Sequence, residues 1–139
     1  MDDFYDFIME HSTSSSNKKE IDNPTSSSHG FNPSCGDEIN LEIKLSDDKK
    51  TIEDLSFTGH GCAVSQASTS IMIDTLRGKT IEEAREIVKT FIGMIKREIT
   101  SEDELKKLED AIVLKDLSNM PARTKCALLA WHTLENMIN

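Results

Sequence analysis

The chain has 139 residues, of which 37% are hydrophobic, and this is enough for one domain with a hydrophobic core. Its formal net charge is −9. The excess of acidic side chains argues against sequence-independent binding to nucleic acid, which requires clustered lysine and arginine. Residues 1–6 lack the features of a signal peptide, and no apolar run approaches the roughly 18 residues that span a bilayer, so we predict a cytoplasmic protein without a membrane partner.

The N-terminal part of the chain predicts a short helix followed by a loop. Residues 3–11 are expected to form an amphipathic helix, because apolar side chains recur there at helical spacing. Residues 12–30 are rich in serine, threonine and asparagine and predict a flexible loop, with a weak edge strand near Phe31. Too little chain precedes this loop for a separate domain. We therefore predict a single domain over residues 1–139.

The next two segments predict a β-hairpin. Residues 38–45 alternate apolar and polar side chains, and residues 51–58 return as a second strand after a polar turn. The alternation is poorer in the second strand, because Ile52 falls on the face opposite Leu55 and Phe57. A hairpin is still the best interpretation of the two segments.

Helices are predicted after the hairpin. Residues 63–77 open with small side chains and are expected to form a helix that Gly78 ends. Thr80 and Glu83 have the spacing of a capping box, and apolar side chains follow at helical intervals.

Two more helices are predicted in the last third of the chain. Ser101 and Glu104 have the spacing of a second capping box, before a helix that buries Leu105, Leu108 and Ile112. Pro121 suits the first turn of the final helix, where its missing N–H costs nothing.

Three cysteines and one aspartate are placed where they can meet. Cys35 and Asp37 lie just before the first strand of the hairpin, and Cys62 lies just after the second. Because a hairpin returns its outer ends to the same edge, these three side chains are expected to converge. Cys126 lies near the start of the last helix and is expected to face inward. Three thiols and a carboxylate make a complete shell for one tetrahedral zinc ion.

These side chains also have simpler interpretations. A lone buried cysteine such as Cys126 is usually a small apolar residue, whereas Cys62 follows Gly61 at a helix start, where backbone N–H groups favour a thiolate. Taken together, the four groups favour a metal site. Zn²⁺ is the natural match, although iron in a sulfide cluster would also accept the thiolates.

The charged side chains near the four candidate ligands have more than one possible role. Arg123 and Lys125 flank Cys126 and are either solvated helix-start residues or a source of positive charge. Such a charge would favour a thiolate or stabilise a transferred sulfide. Arg123 is the better candidate for this catalytic role. His60, two residues before Cys62, could also approach the site.

Three sequence blocks carry a family resemblance. They are residues 32–37 (NPSCGD), 61–70 (GCAVSQASTS) and 122–128 (ARTKCAL). In this order they resemble the NifU N-terminal/IscU-like family, with similarity from Phe31 to the C-terminus. The resemblance implies a SufE/NifU-like α+β fold, in which a small antiparallel sheet of about three strands packs against several helices. It also implies zinc held by Cys35, Asp37, Cys62 and Cys126.

Within that family the chain resembles the SufU branch. Lys125 precedes Cys126 where IscU scaffolds carry a histidine ligand, and residues 93–114 resemble a helical insertion typical of SufU proteins. SufU-like proteins accept sulfur from a pyridoxal-phosphate cysteine desulfurase and pass it to the cluster-assembly machinery. The resemblance therefore implies that Cys35 is the persulfide-accepting thiol of a zinc-dependent sulfurtransferase-like protein.

Two other functions stay open. The first is a scaffold on which a labile iron–sulfur cluster is assembled and then transferred to apo-proteins. The absent histidine argues against a scaffold, although the three cysteines and Asp37 could hold such a cluster. The second is a purely structural zinc domain, in which Cys35 would be inert to alkylation and to persulfide donors.

Overall fold

The computed structural model describes residues 2–13, 16–34 and 36–138, with side chains from Asp6 onward. A three-stranded antiparallel sheet packs against helices, which confirms the predicted α+β fold. In chain order the elements are α1 (Asp2–Thr13), β1 (Ser26–Asn32), β2 (Asp37–Leu45), β3 (Ile52–His60), α2 (Ala63–Leu76), α3 (Ile81–Ile95), α4 (Glu102–Leu105), a 3₁₀ segment (Lys106–Asn119) and α5 (Pro121–Ile138). None of the helices within these described ranges is long and apolar enough to cross a membrane.

The sheet has the order β1-β2-β3, so the predicted hairpin forms its central and one outer strand. The weak alternation of β3 has a structural cause. A register shift between Lys44 and Leu45 pairs Leu45 with Ile52 and skips Glu53. This irregularity turns Ile52 inward, where it is fully buried together with Leu55.

Strand β1 is longer than the sequence suggested. It begins at Ser26 and therefore includes residues 26–30 of the range for which a loop was predicted. Its serines have low intrinsic strand propensity, and the strand is held by its ladder to β2 and by packing against α5. Gly30 shows how close this packing is, since a Cβ there would lie 2.3 Å from Thr133 Oγ1. The flexibility predicted for the residues before β1 stays a prediction.

The helices cover the sheet and enclose the core. Helix α5 contacts β1 and β2, α2 contacts β3, and α1 packs on α2. The capping box predicted before α3 is present in full, with Thr80 accepting from Glu83 N–H and the Glu83 carboxylate accepting from Thr80 N–H. Helix α5 begins at Pro121, as predicted.

The second predicted capping box is wrong. Ser101 is the N-cap of α4, but its side chain makes no capping hydrogen bond. The α-helix ends at Leu105 and continues as the 3₁₀ segment, inside which Glu109 has a positive φ of 53°. A 3₁₀ turn has a different period from an α-helix, so the predicted burial of Ile112 fails and its side chain is 39% exposed. That residues 93–114 are an insertion stays a prediction.

A polar clasp fastens the chain after α1 to the rest of the domain. Asn17 is buried, and its Nδ2 donates to the Ser70 carbonyl at 3.1 Å. Its Oδ1 accepts from Arg77 Nη2 at 2.7 Å, and Arg77 Nε donates to Asp54 Oδ1 at 3.1 Å. The clasp therefore links the chain before β1 to both α2 and β3.

The clasp predicts an acid-sensitive contribution to stability. Burial would raise the pKa of Asp54, but the Leu55 N–H, Lys19 and Arg77 outweigh it and hold this pKa below its ordinary value. A depressed carboxyl pKa contributes stability above about pH 4, and the contribution is lost as the pH falls through the folded-state value. We expect Asp54→Asn to lower the free energy of unfolding at pH 7, with the difference from the unaltered protein shrinking toward pH 3 in urea titrations. A difference that does not vary with pH would contradict this.

Candidate metal centre

The hairpin places two of the predicted ligands beside each other. Asp37 is the first residue of β2, and Cys62 follows the end of β3 by two residues. The neighbouring residues Glu38 and His60 are paired across the two strands, so the ends that carry Asp37 and Cys62 lie at the same edge of the sheet. Helix α5 packs against β1 and β2 and brings Cys126 to this edge.

The three described donors form a compact cluster. One ligand atom each from Asp37, Cys62 and Cys126 lie within 4.8 Å of one another. Asp37 and Cys126 are buried at 0% and 1% exposure, and Cys62 is half-buried. Cys35, the fourth predicted ligand, lies outside the described residues. Ser34 and Gly36 on either side of it belong to the turn that leads into Asp37.

Backbone N–H groups orient two of these side chains. Asp37 Oδ1 accepts from Cys62 N–H at 2.8 Å, and Cys62 Sγ accepts from Ser65 N–H at 3.4 Å as the N-cap of α2. Donors at the N-terminus of a helix stabilise negative charge on the Cys62 sulfur. Gly61 makes room for this arrangement, since a Cβ there would lie 2.7 Å from Asp37 Oδ1.

One atom of the cluster lacks a partner. Asp37 Oδ2 is buried and has no hydrogen-bond partner among the residues that the structure describes. A buried carboxylate oxygen without a partner costs free energy unless a cation or donor occupies the space in front of it. Two thiols and this oxygen are donors that a tetrahedral zinc ion accepts, and iron accepts the same thiolates. The residues present therefore fit a thiolate-binding metal.

The other candidate side chains surround this cluster. Arg123 is exposed in the first turn of α5 and lines, with Cys62, a groove of about 310 Å³ whose other walls are mainly apolar. Lys125 is also exposed and faces a separate depression beside Phe31. His60 is exposed at the end of β3 and is not among the described donors of the cluster.

Two residues at the site carry roles that the sequence did not reveal. Gly61 admits the Asp37 carboxylate, and Asn32 directs its Nδ2 toward Cys126 Sγ at 3.9 Å. Both belong to the motif blocks, but their roles depend on neighbours that lie far away in the chain.

Comparison with known proteins supplies the remaining observations. The family model described as the NifU-like N terminal domain matches residues 3–139. The chain is 35% identical over 131 residues to the iron–sulfur cluster assembly scaffold protein IscU of Thermotoga maritima, covering 94% of this chain and 89% of that protein. It is 42% identical over 104 residues to the zinc-dependent sulfurtransferase SufU of Bacillus subtilis, covering 75% and 68% of the two chains.

A solved structure has the same fold at high similarity. It is the crystal structure of a protein from Fervidobacterium islandicum that is described as an iron–sulfur cluster assembly scaffold for the SUF system. The two folds superpose with a TM-score of 0.87 at 40% sequence identity, over 96% of this chain and 94% of that one.

Proposed function

The chain belongs to the family of NifU-like N-terminal domains, and from this membership we propose that it works in iron–sulfur cluster assembly as a zinc-bound sulfur acceptor. The observation that carries the proposal is the cluster of Asp37, Cys62 and Cys126, in which Asp37 Oδ2 is buried with no hydrogen-bond partner among the described residues. The Bacillus subtilis relative, a zinc-dependent sulfurtransferase, supports it from a second direction.

Four side chains would hold the zinc ion: Cys35, Asp37, Cys62 and Cys126. When bound, zinc keeps its thiol ligands deprotonated near neutral pH and so maintains the nucleophilic form of sulfur. Asp37 brings a harder oxygen donor among softer sulfurs, and its Oδ1 is fixed by Cys62 N–H. Ser34 and Gly36, which flank Cys35 in the sequence, are exposed, and this supports Cys35 as the ligand that a partner would reach.

Cys35 would receive the sulfur. The donor is a persulfide on a pyridoxal-phosphate cysteine desulfurase of the SufS type. The Cys35 thiolate attacks the outer sulfur of that persulfide, so that a new S–S bond forms on Cys35 and the donor S–S bond breaks. Its electron pair leaves with the donor cysteine as a thiolate, and no external oxidant or reductant is needed. Cluster-assembly scaffold proteins would then take the sulfur from Cys35.

Arg123 would assist the transfer as a source of positive charge. It is exposed at the rim of the groove that contains Cys62, in a protein with a net charge of −9. A guanidinium at this rim would stabilise the anionic sulfur during transfer and attract an acidic group of the partner.

A scaffold for a labile iron–sulfur cluster is the alternative. It is favoured by the similarity to the Thermotoga maritima IscU over 94% of this chain. Lys125, in the position before Cys126, argues against it, because a lysine there offers neither a thiolate nor an imidazole to a cluster.

Metal content and visible absorption separate the two functions. Protein purified without added metal is expected to be colourless, to hold about one zinc ion per chain and to raise the turnover of a cysteine desulfurase supplied with cysteine. A brown protein that carries iron and sulfide and leaves the desulfurase rate unchanged would establish the scaffold. A protein that binds zinc but does not change the desulfurase rate would be a purely structural zinc domain.

Gly61→Ala tests whether Asp37 is a ligand, because the substitution fills the space that the Asp37 carboxylate occupies. The added Cβ would push Asp37 away from Cys62, so we expect zinc affinity to fall about 10- to 100-fold in a chelator competition. Gly78→Ala is the matched control, because Gly78 has a φ of +87° and nothing within 4 Å of an added Cβ. This control should lose stability through backbone strain, yet bind zinc normally. Equal zinc affinity in both variants would refute the assignment of Asp37.

A further inference from the structure

Asn32 stands at the junction of the segments that carry the proposed ligands. It is the last residue of β1, is 6% exposed and pairs with Asp37 across the ladder. A turn that includes Pro33, Ser34 and Gly36 begins directly after it. A buried amide in such a position must have its donors and acceptor satisfied by specific neighbours.

The orientation of the Asn32 amide is determined by its two contacts. Ser34 N–H donates to Asn32 Oδ1 at 3.2 Å, so the oxygen faces the turn. The Nδ2 group must then face the opposite way, where it donates to Cys126 Sγ at 3.9 Å. A flipped amide would set its NH₂ group against the Ser34 N–H and leave no N–H directed at the sulfur.

We propose that Asn32 is a positioning residue that holds Cys126 in place as a metal ligand. The inference rests on the proposed function, since it requires that the cluster bind a metal. Cys126 is buried, and a buried thiolate needs donors close to its charge. An N–H donor from Asn32 stabilises that thiolate, and hydrogen bonds to charged acceptors are stronger than those to neutral ones.

The two contacts of Asn32 point in opposite directions. Its Oδ1 accepts from Ser34 N–H in the turn before β2, and its Nδ2 donates to Cys126 Sγ. Cys62, by contrast, accepts an N–H from Ser65 on its own helix. Each of the two helix-borne sulfurs therefore has a donor that holds it in place, one from its own helix and one from the end of β1.

Two substitutions separate the contacts of Asn32. Asn32→Asp keeps an oxygen for Ser34 N–H but removes the donor to Cys126, whereas Asn32→Ala removes both. Asn40→Asp is the matched control, because Asn40 is exposed on β2. Each protein is loaded with Co²⁺ to record the sulfur-to-cobalt charge-transfer band, and with Zn²⁺ to record the rate of metal release to a chelator. Thermal unfolding of the metal-free proteins shows which variants fold.

We expect both Asn32 variants to shift the charge-transfer band and to release zinc about 10- to 100-fold faster, with Asn40→Asp unchanged. A normal band and release rate in Asn32→Asp would overturn the inference. Any weaker metal binding by Asn32→Ala would then come from the lost contact with Ser34 N–H and not from the lost contact with Cys126. Metal binding and the expected shifts without sulfur on Cys35 would refute the proposed function alone. If the unaltered protein bound neither metal, both would fall.

Discussion

Asp37→Asn and Asp37→Ala are both expected to lose stoichiometric zinc, with affinity reduced by more than about 100-fold. A change next to a ligand costs about 10- to 100-fold, and removal of the ligand itself should exceed that range. The two variants differ in a second property. Asparagine keeps an oxygen to accept the Cys62 N–H, while alanine leaves that N–H without its partner. Only Asp37→Ala should therefore lose an additional stability of about 1–3 kcal/mol in the metal-free protein.

The control for Asp37 lies beyond the far end of the same strand. Asp47 is exposed in the turn after β2, so Asp47→Ala should bind zinc as the unaltered protein does. Competition with a chelating dye measures zinc affinity, and urea titration of metal-free protein measures stability. Normal zinc binding by Asp37→Asn would show that the carboxylate is not a ligand. The lack of a partner for Oδ2 among the described residues would then need another explanation.

Trp131→Ala is expected to lower the free energy of unfolding by about 3–5 kcal/mol. The side chain is fully buried and stacks on Phe91, with ring centroids 3.8 Å apart and planes 8° from parallel. Its Nε1 donates to Ser68 Oγ at 3.0 Å, which ties α5 to α2. Alanine removes the stack, the hydrogen bond and most of the buried volume, and a loss of this size is a large part of a typical domain's stability.

Ser68→Ala separates the hydrogen bond from the packing. It leaves the buried indole N–H without its partner and removes the hydrogen bond that Ser68 Oγ donates to the Ala127 carbonyl at 2.6 Å. The ring and its stack on Phe91 stay, so the substitution should cost only about 1–3 kcal/mol. Denaturant titrations of the metal-free proteins measure both losses. If Trp131→Ala cost no more than Ser68→Ala, the aromatic stack would contribute little and the core would be held elsewhere.

The parts of the fold that the sequence predicted are those with strong local patterns. The alternation in β2 and the capping box of Thr80 and Glu83 each depend on residues close together in the chain. Strand β1 has no such pattern, because its pairing with β2 and its contact with α5 decide its conformation. Ser101 shows the converse, since its motif has the right spacing but the α-helix ends after one short turn.

The sequence predicted some residues of the site from local structure and others only from weaker signals. Asp37 and Cys62 meet because a hairpin brings its ends together, and that consequence can be read from the strand order. Cys126 joins them through the packing of α5, which no local pattern reveals. The sequence indicated it only through the complete set of three thiols and a carboxylate and through the family resemblance. The family itself is confirmed. The ligand role of Cys35 and the catalytic role of Arg123 stay predictions.

The most direct test of the account is the site at which sulfur arrives. The protein is incubated with a cysteine desulfurase and cysteine, its remaining thiols are alkylated, and its peptides are mapped by mass spectrometry. We expect one added sulfur atom on the peptide that contains Cys35, and none on those that contain Cys62 or Cys126. Added sulfur on Cys62 or Cys126 with Cys35 unmodified, or no added sulfur on any peptide, would contradict the account.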